Sequence, residues 1–201
     1  MTLTPSTMLP LGTAAPDFSL TDTVSGKKLS LASFKDKKAL LVMFICNHCP
    51  YVKHLKPALV QLGKDYETKD AAIVAISAND PGTHPDDAPE KLGAEATSLG
   101  YRFPMLFDET QKVAQAYKAA CTPDFFVFDA SRKLSYRGQF DASRPGNGQP
   151  VTGGDLRAAL DAAIAGKPAP SKQVASLGCN IKWRPGNAPA YWGGAVMAQN
   201  R

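Results

Sequence analysis

Phe44-Ile45-Cys46-Asn47-His48-Cys49-Pro50-Tyr51-Val52-Lys53 is the stretch whose reading decides the fold. An apolar run, Ala39 to Ile45, leads into it, and an amphipathic stretch from Pro50 to about Lys69 leads out. The order is a buried strand, a tight loop with two cysteines, and a helix that begins at the second cysteine. Pro50 suits the first helical position, where its missing N–H is not needed. Cys49 therefore falls at or beside the N-cap. Unpaired N–H groups and the positive end of the helix dipole favour a thiolate there, and the thiolate is the form that attacks.

Val52, Leu55, Leu59, Leu62 and Tyr66 recur at spacings of three and four, which makes one apolar helix face. Lys53, Lys56, Lys64 and Glu67 lie mostly opposite, and the first two add positive potential near Cys49. Pro57 falls inside the helix and is expected to kink it. Upstream, Ala15 to Leu20 predicts a short edge strand. Lys27 to Leu31 returns after a turn at Ser25-Gly26, giving an N-terminal β-hairpin, and Leu31 to Lys35 predicts one helical turn.

Downstream, Ala71 to Ser77 predicts a second buried strand. In the polar loop from Asn79 to Pro89, Asp86 or Asp87 is placed to cap a helix running through Leu92 to Leu99. Phe103 to Phe107 predicts a strand and Val113 to Lys118 a helix. Phe125 to Phe128 is expected to pair in antiparallel fashion with Lys133 to Arg137, and Asp155 to Ala165 predicts a helix closed by Gly166. Ser143 to Gly154 is a Gly/Pro-rich loop. The expected architecture is α/β, a central mixed sheet flanked by helices, spanning residues 1–166. Residues 167–201, with four prolines, predict an irregular tail packed on that domain. Burial of Trp183 and Trp192 would tie it down.

The 201 residues suit one domain with a real core. No apolar run approaches a membrane span, and Met1 to Pro16 lacks the pattern of a signal peptide, so the cytoplasm is the expected compartment. The net charge of +5 comes from scattered basic residues without an aromatic-interleaved stripe. Neither nucleic acid nor a membrane is an expected partner. Four cysteines, Cys46, Cys49, Cys121 and Cys179, are too few for a disulfide-scaffolded domain of this size. A C-x-x-C beside a βα pattern points to redox chemistry or to metal.

These residues resemble the thioredoxin-like superfamily in its redoxin and peroxiredoxin-like (AhpC/TSA-like) branch, over roughly Gly12 to Gly166. The resemblance is carried by Ala15-Pro16-Asp17-Phe18-Ser19-Leu20, by Leu29 to Phe34, and by Thr122-Pro123 before Asp124-Phe125-Phe126-Val127-Phe128-Asp129. Cys46 to Pro50, Cys121 to Asp124 and Gly178 to Trp183 also resemble a bacterial subgroup of peroxiredoxin-like proteins. The resemblance implies a thioredoxin-like fold and a cis Pro123 that presents the backbone of Thr122 to a substrate. It also sets a register. The attacking cysteine lies five residues after the strand phenylalanine and the kinking proline eight residues further, which selects Cys49 and Pro57. The usual resolving position is then Val52, and Cys46 stands three residues upstream of the attacking thiol.

Cys49 is accordingly the expected nucleophile and Cys46 the expected resolving thiol of a thiol–disulfide oxidoreductase. His48 either stabilises the neighbouring thiolate or faces solvent. Cys121 is either a second resolving thiol or a small buried hydrophobe, and Cys179 reaches the site only if the tail folds back. Arg144 either sets a cation near the thiolate or is a surface arginine. His54 and His84 are expected to play no part. A thiol peroxidase acting through Cys49 is the alternative, although Val42 and Cys46 stand where peroxiredoxins carry Pro and Thr or Ser. A non-catalytic metal protein using Cys46, Cys49 and Cys121 is the other. No cofactor is expected. The expected partners are protein or small-molecule disulfides and thiols, with a cellular thiol as reductant.

Overall fold

The computed structural model describes residues 3–192. Its centre is strand β4 (Ala39–Phe44), buried at every position. It runs parallel to β5 (Ala71–Ser77) on one side and antiparallel to β8 (Asp124–Phe128) on the other. Both faces of β4 are covered, which is why its sequence is uniformly apolar. Ala39, Leu41 and Met43 meet helices α1 (Pro50–Tyr66) and α4 (Gly154–Ile164), while Leu40, Val42 and Phe44 pack with Tyr117, Phe126 and Phe128. The seven-stranded mixed sheet has the order β3-β2-β6-β5-β4-β8-β9, with β2 at Ser19–Asp22, β3 at Lys28–Ser30, β6 at Met105–Phe107 and β9 at Leu134–Gly138.

The apolar face of α1 is buried as its spacing predicts, at Val52, Leu55, Leu59, Leu62 and Tyr66. Each such side chain contributes about 1.5–3 kcal/mol by leaving water. Pro57 lies inside α1 without ending it. The hairpin forms from β2 (Ser19–Asp22) and β3 (Lys28–Ser30). Here the first strand differs from expectation. It starts later, and it is not an edge, because Thr21 and Asp22 also pair with β6. The helical turn at Leu31–Phe34 is a short 3-10 segment. Helix α2 (Pro89–Leu99) has Ala88 at its N-cap with no side-chain cap. Neither Asp86 nor Asp87 caps it, because the Asp87 carboxylate is turned toward the β4–α1 loop. Helix α3 spans Lys112–Ala116, and Gly166, at φ +66°, follows α4 as expected.

The tail is irregular in large part, yet it supplies strand β10 (Leu177–Asn180). That strand lies between β1 (Leu3–Pro5) and β7 (Cys121–Thr122) in a second, three-stranded sheet. The register pairs Cys179 with Leu3 on one side and with Thr122 on the other. A prolyl-rich composition hides this strand, because its partners are distant in sequence. Trp183 packs on the core, but Trp192 is 40% exposed, so one indole rather than two anchors the tail.

Candidate active site

The Cys46–Cys49 loop sits at the carboxyl end of β4, where the chain turns into α1. Cys49 is the N-cap residue of α1 and Pro50 its first helical residue. In its thiol form Cys49 donates to the carbonyl of Thr122 at 3.1 Å. The thiols of Cys179 and Cys46 both hydrogen-bond to it. These two donors, Cys179 first, outweigh burial and hold Cys49 far below the ordinary thiol range. The Val52 N–H in the first turn of α1 adds to this. The same contacts act oppositely on the donors. Burial, then Cys49, raises Cys46, while Cys49 and then burial raise Cys179. Of the three sulfurs, Cys49 is the one whose surroundings favour the thiolate.

Positive side chains do not create that state. Lys56 is paired with Glu95 at 2.6 Å, and the largest influences on Cys49 are the neighbouring thiols and burial rather than either lysine. Arg144 is likewise occupied. Its guanidinium donates to the carbonyls of Asp141 and Ser143 and to Gln139. It lines a small cleft with Tyr51, His54 and Pro123, which neither Cys46 nor Cys49 lines. Cys121 is fully buried, points its thiol at the Pro123 carbonyl at 3.5 Å, and is raised by burial and then by Asp124. The Thr122–Pro123 bond is cis, and the Thr122 hydroxyl lies 3.5 Å from the Cys46 sulfur.

The residue that sequence reasoning missed is Asp87. It is fully buried and accepts hydrogen bonds from the backbone N–H groups of Asn47 and His48, from the Asn79 amide, and from His48 Nδ1 at 2.5 Å. His48 Nδ1 also stands 3.7 Å from the Cys46 sulfur. Asp87, His48 and Cys46 thus form a compact cluster that meets at His48 Nδ1, and His48 is not a solvent-facing loop residue. His84, expected to play no part, packs its ring on His48 with centroids 4.4 Å apart. Burial and then the His48 charge hold His84 below its ordinary value. A signal for Asp87 was present. The loops that follow two adjacent parallel strands, β4 and β5, must open at the same end of the sheet. A cation held jointly by Cys46, Cys49 and Cys121 has no support in the geometry. Among the described residues the compact group of such side chains is Cys46, His48 and Asp87.

Burial pushes the Asp87 carboxyl up, but hydrogen bonds from His48, Asn79 and Asn47 outweigh it, and the net shift is downward. A carboxyl depressed in the folded state adds stability above its unfolded value of about 3.9, and loses it as pH falls through the folded value. Asp87→Asn is therefore expected to be less stable than the wild type near neutral pH, with the gap closing below about pH 4. Urea midpoints measured across that range check this, and a gap independent of pH would count against an ionised Asp87.

The AhpC/TSA family model matches residues 11–137. The thioredoxin-like protein YneN of Bacillus subtilis is 33% identical over 118 residues, 59% of this chain and 65% of that protein, so the chain covers slightly less than two thirds of it. Alkyl hydroperoxide reductase E of Mycobacterium tuberculosis is 31% identical over 144 residues, 69% of this chain and 82% of that one. Among solved structures, an uncharacterized conserved protein from Geobacillus kaustophilus is 53% identical, with a TM-score of 0.90 over 92% of this chain and 98% of that one. The architecture is the thioredoxin-like fold. With the family model spanning more than half of its length, the chain belongs to the AhpC/TSA family.

Proposed function

We propose that this protein is a thiol–disulfide oxidoreductase whose Cys-Asn-His-Cys loop supplies both reacting thiols. The observation that carries the reading is the placement of Cys49 at the N-cap of α1, beside the Cys46 thiol of the same loop and against the Thr122 carbonyl. Cys49, at a helix N-terminus, is stabilised as thiolate by two thiol donors, and the donors are held protonated. The Cys49 thiolate attacks one sulfur of a substrate disulfide, a mixed disulfide forms, and the other substrate sulfur leaves as thiolate. Cys46 then attacks the Cys49 sulfur. The substrate's remaining sulfur leaves, and a Cys46–Cys49 disulfide is left. Cys46 must first lose its proton. His48 Nδ1 already holds the proton it donates to Asp87, so the Asp87 carboxylate, within 4.8 Å of the Cys46 sulfur, is the nearest group able to accept it. A cellular thiol returns the enzyme to its reduced form, and the cytoplasm is the compartment in which such a cycle would run.

The test is disulfide mapping by mass spectrometry after equilibration through a glutathione redox series. A reversible Cys46–Cys49 link is expected, and its midpoint gives the potential. Oxidation that leaves Cys46 free throughout would remove it as the resolving thiol.

A second reading is favoured by one observation. Cys49 has no exposed surface in the reduced protein. A small oxidant reaches such a sulfur more readily than a protein disulfide does. In a thiol peroxidase the Cys49 thiolate would take one oxygen from a peroxide to become a sulfenic acid, and Cys46 would displace water to form the same disulfide. Val42 and Cys46 supply none of the Pro and Thr or Ser expected for peroxide positioning. Rates with a peroxide and with a small disulfide, measured on one preparation, separate the two readings.

A further inference from the structure

Strand β10 brings a third thiol to the reacting sulfur, and the Cys46–Cys49 cycle uses it only as a hydrogen-bond donor to Cys49. The edge of β7 beside Cys49 is occupied by the chain's own residues, with Cys179 opposite Thr122 and Asn180 opposite Cys121. The carbonyl of that same Thr122 accepts from Cys49. The Cys179 thiol, 3% exposed, is in hydrogen-bond contact with Cys49. The strand is anchored on both sides of the site. Upstream, Ser6 N–H donates to the Ser176 carbonyl at 2.8 Å and Ser176 Oγ to the Gly138 carbonyl at 2.6 Å. Downstream, Ile181 N–H donates to the Ala120 carbonyl at 3.2 Å, and Lys182 N–H to Asn79 at 2.8 Å. The fit leaves no room for a side chain at Gly178, because a Cβ there would run into the Thr122 carbonyl.

We propose that Cys179 is a second resolving thiol, held against Cys49 by β10, so that the oxidised protein exchanges between a Cys46–Cys49 and a Cys49–Cys179 disulfide. The inference rests on the oxidoreductase reading only in taking Cys49 as the attacking thiol. With a low-molecular-weight disulfide as oxidant, the Cys49 thiolate displaces one thiolate and forms the mixed disulfide. Cys179 gives its proton to solvent and attacks the Cys49 sulfur, and the second small thiolate leaves. Two protein thiols are oxidised and one disulfide is reduced to two thiols. Attack of the Cys46 thiolate on Cys49 then expels Cys179 and yields the alternative link without further oxidant.

Flanking thiols on the loop side and the tail side have different consequences. A Cys46–Cys49 bond lies within one loop. A Cys49–Cys179 bond ties the C-terminal strand to the start of α1, so oxidation state and seating of β10 become linked.

The test uses the full chain and oxidised glutathione. In Cys46→Ser, a Cys49–Cys179 link is expected by non-reducing peptide mapping, with two glutathione molecules released per link. In Cys46→Ser/Cys179→Ser, Cys49 is expected to stop as the glutathione mixed disulfide. A Cys46→Ser protein that also stops at that mixed disulfide, with Cys179 still open to alkylation, would overturn the inference, and so would a link to Cys121. If the wild type forms Cys46–Cys49 while Cys46→Ser forms no link to Cys179, this inference fails and the proposed function stands. If Cys49–Cys179 forms and Cys46–Cys49 never does, the proposed function fails, and Cys179 stands as the resolving thiol without the exchange. Gly178→Ala, which displaces β10, is expected to lose the link and to speed alkylation of Cys49 several-fold. Unchanged values for both would remove the strand from the argument.

Discussion

Cys49→Ser is expected to lower disulfide-reductase activity by on the order of a thousandfold or more, as loss of an attacking group does in other covalent mechanisms. The reason lies in the other three thiols. Burial, which persists when Cys49 is replaced, is the first cause that holds Cys46 and Cys121 above the ordinary thiol range, and it also raises Cys179, so none gains a thiolate near neutral pH to match Cys49. A serine hydroxyl does not ionise there and is a poor nucleophile toward sulfur. The fold should tolerate the change, because a serine Oγ can donate to the Thr122 carbonyl as the thiol does. The loss should therefore appear in catalysis and not in the unfolding midpoint. Reduction of a small disulfide at saturating reductant measures it. Activity within about tenfold of wild type would reassign the nucleophile.

Asp124→Ala is expected to cost about 3–5 kcal/mol of stability, the range found when one member of a buried ion pair is removed. For a chain of this size that corresponds to a fall of about 6–20 °C in Tm. Both Asp124 and Arg137 are fully buried, with Arg137 Nη2 at 3.0 Å from the carboxylate. The guanidinium also donates to Thr7 at 2.7 Å and to the Lys118 carbonyl at 2.9 Å, and lies 4.4 Å from the Phe126 ring centre. Removing the carboxylate leaves that cation in the interior with neutral partners only. Asp124 directly follows Pro123 and pairs with Phe44 at the end of β4, so loosening it also frees the Thr122 carbonyl that faces Cys49. Thermal and urea denaturation check the magnitude. A loss below about 1 kcal/mol would mean that the pair is solvated, as surface pairs are.

The legible parts of this protein are those whose cause is local. The run Ala39 to Ile45 is apolar at every position because both faces of β4 are covered, and the observed strand ends one residue earlier. The spacing of Val52 to Tyr66 predicted the buried face of α1, and Pro50 placed Cys49 at its start. The hairpin's existence was legible from Ser25-Gly26, but its place in the sheet was not. Pairing of β2 with β6 joins Thr21 to Phe107, and no local pattern records a partner that far away.

The candidate site divides along the same line. Composition and spacing alone determined that a strand–loop–helix unit holds two cysteines, with Cys49 at the helix N-terminus, and narrowed the chemistry to redox or metal binding. Tertiary structure decided what surrounds that sulfur. Asp87 is joined to His48 across 39 residues of sequence, and β10 is joined to β7 through a tail whose prolines suggest no strand. It also decided that thiols rather than lysines stabilise the Cys49 charge. The physical reason is that helix and strand formation respond to neighbours along the chain. The ionisation of a buried sulfur depends on which donors the fold carries to it and on how much water the fold excludes.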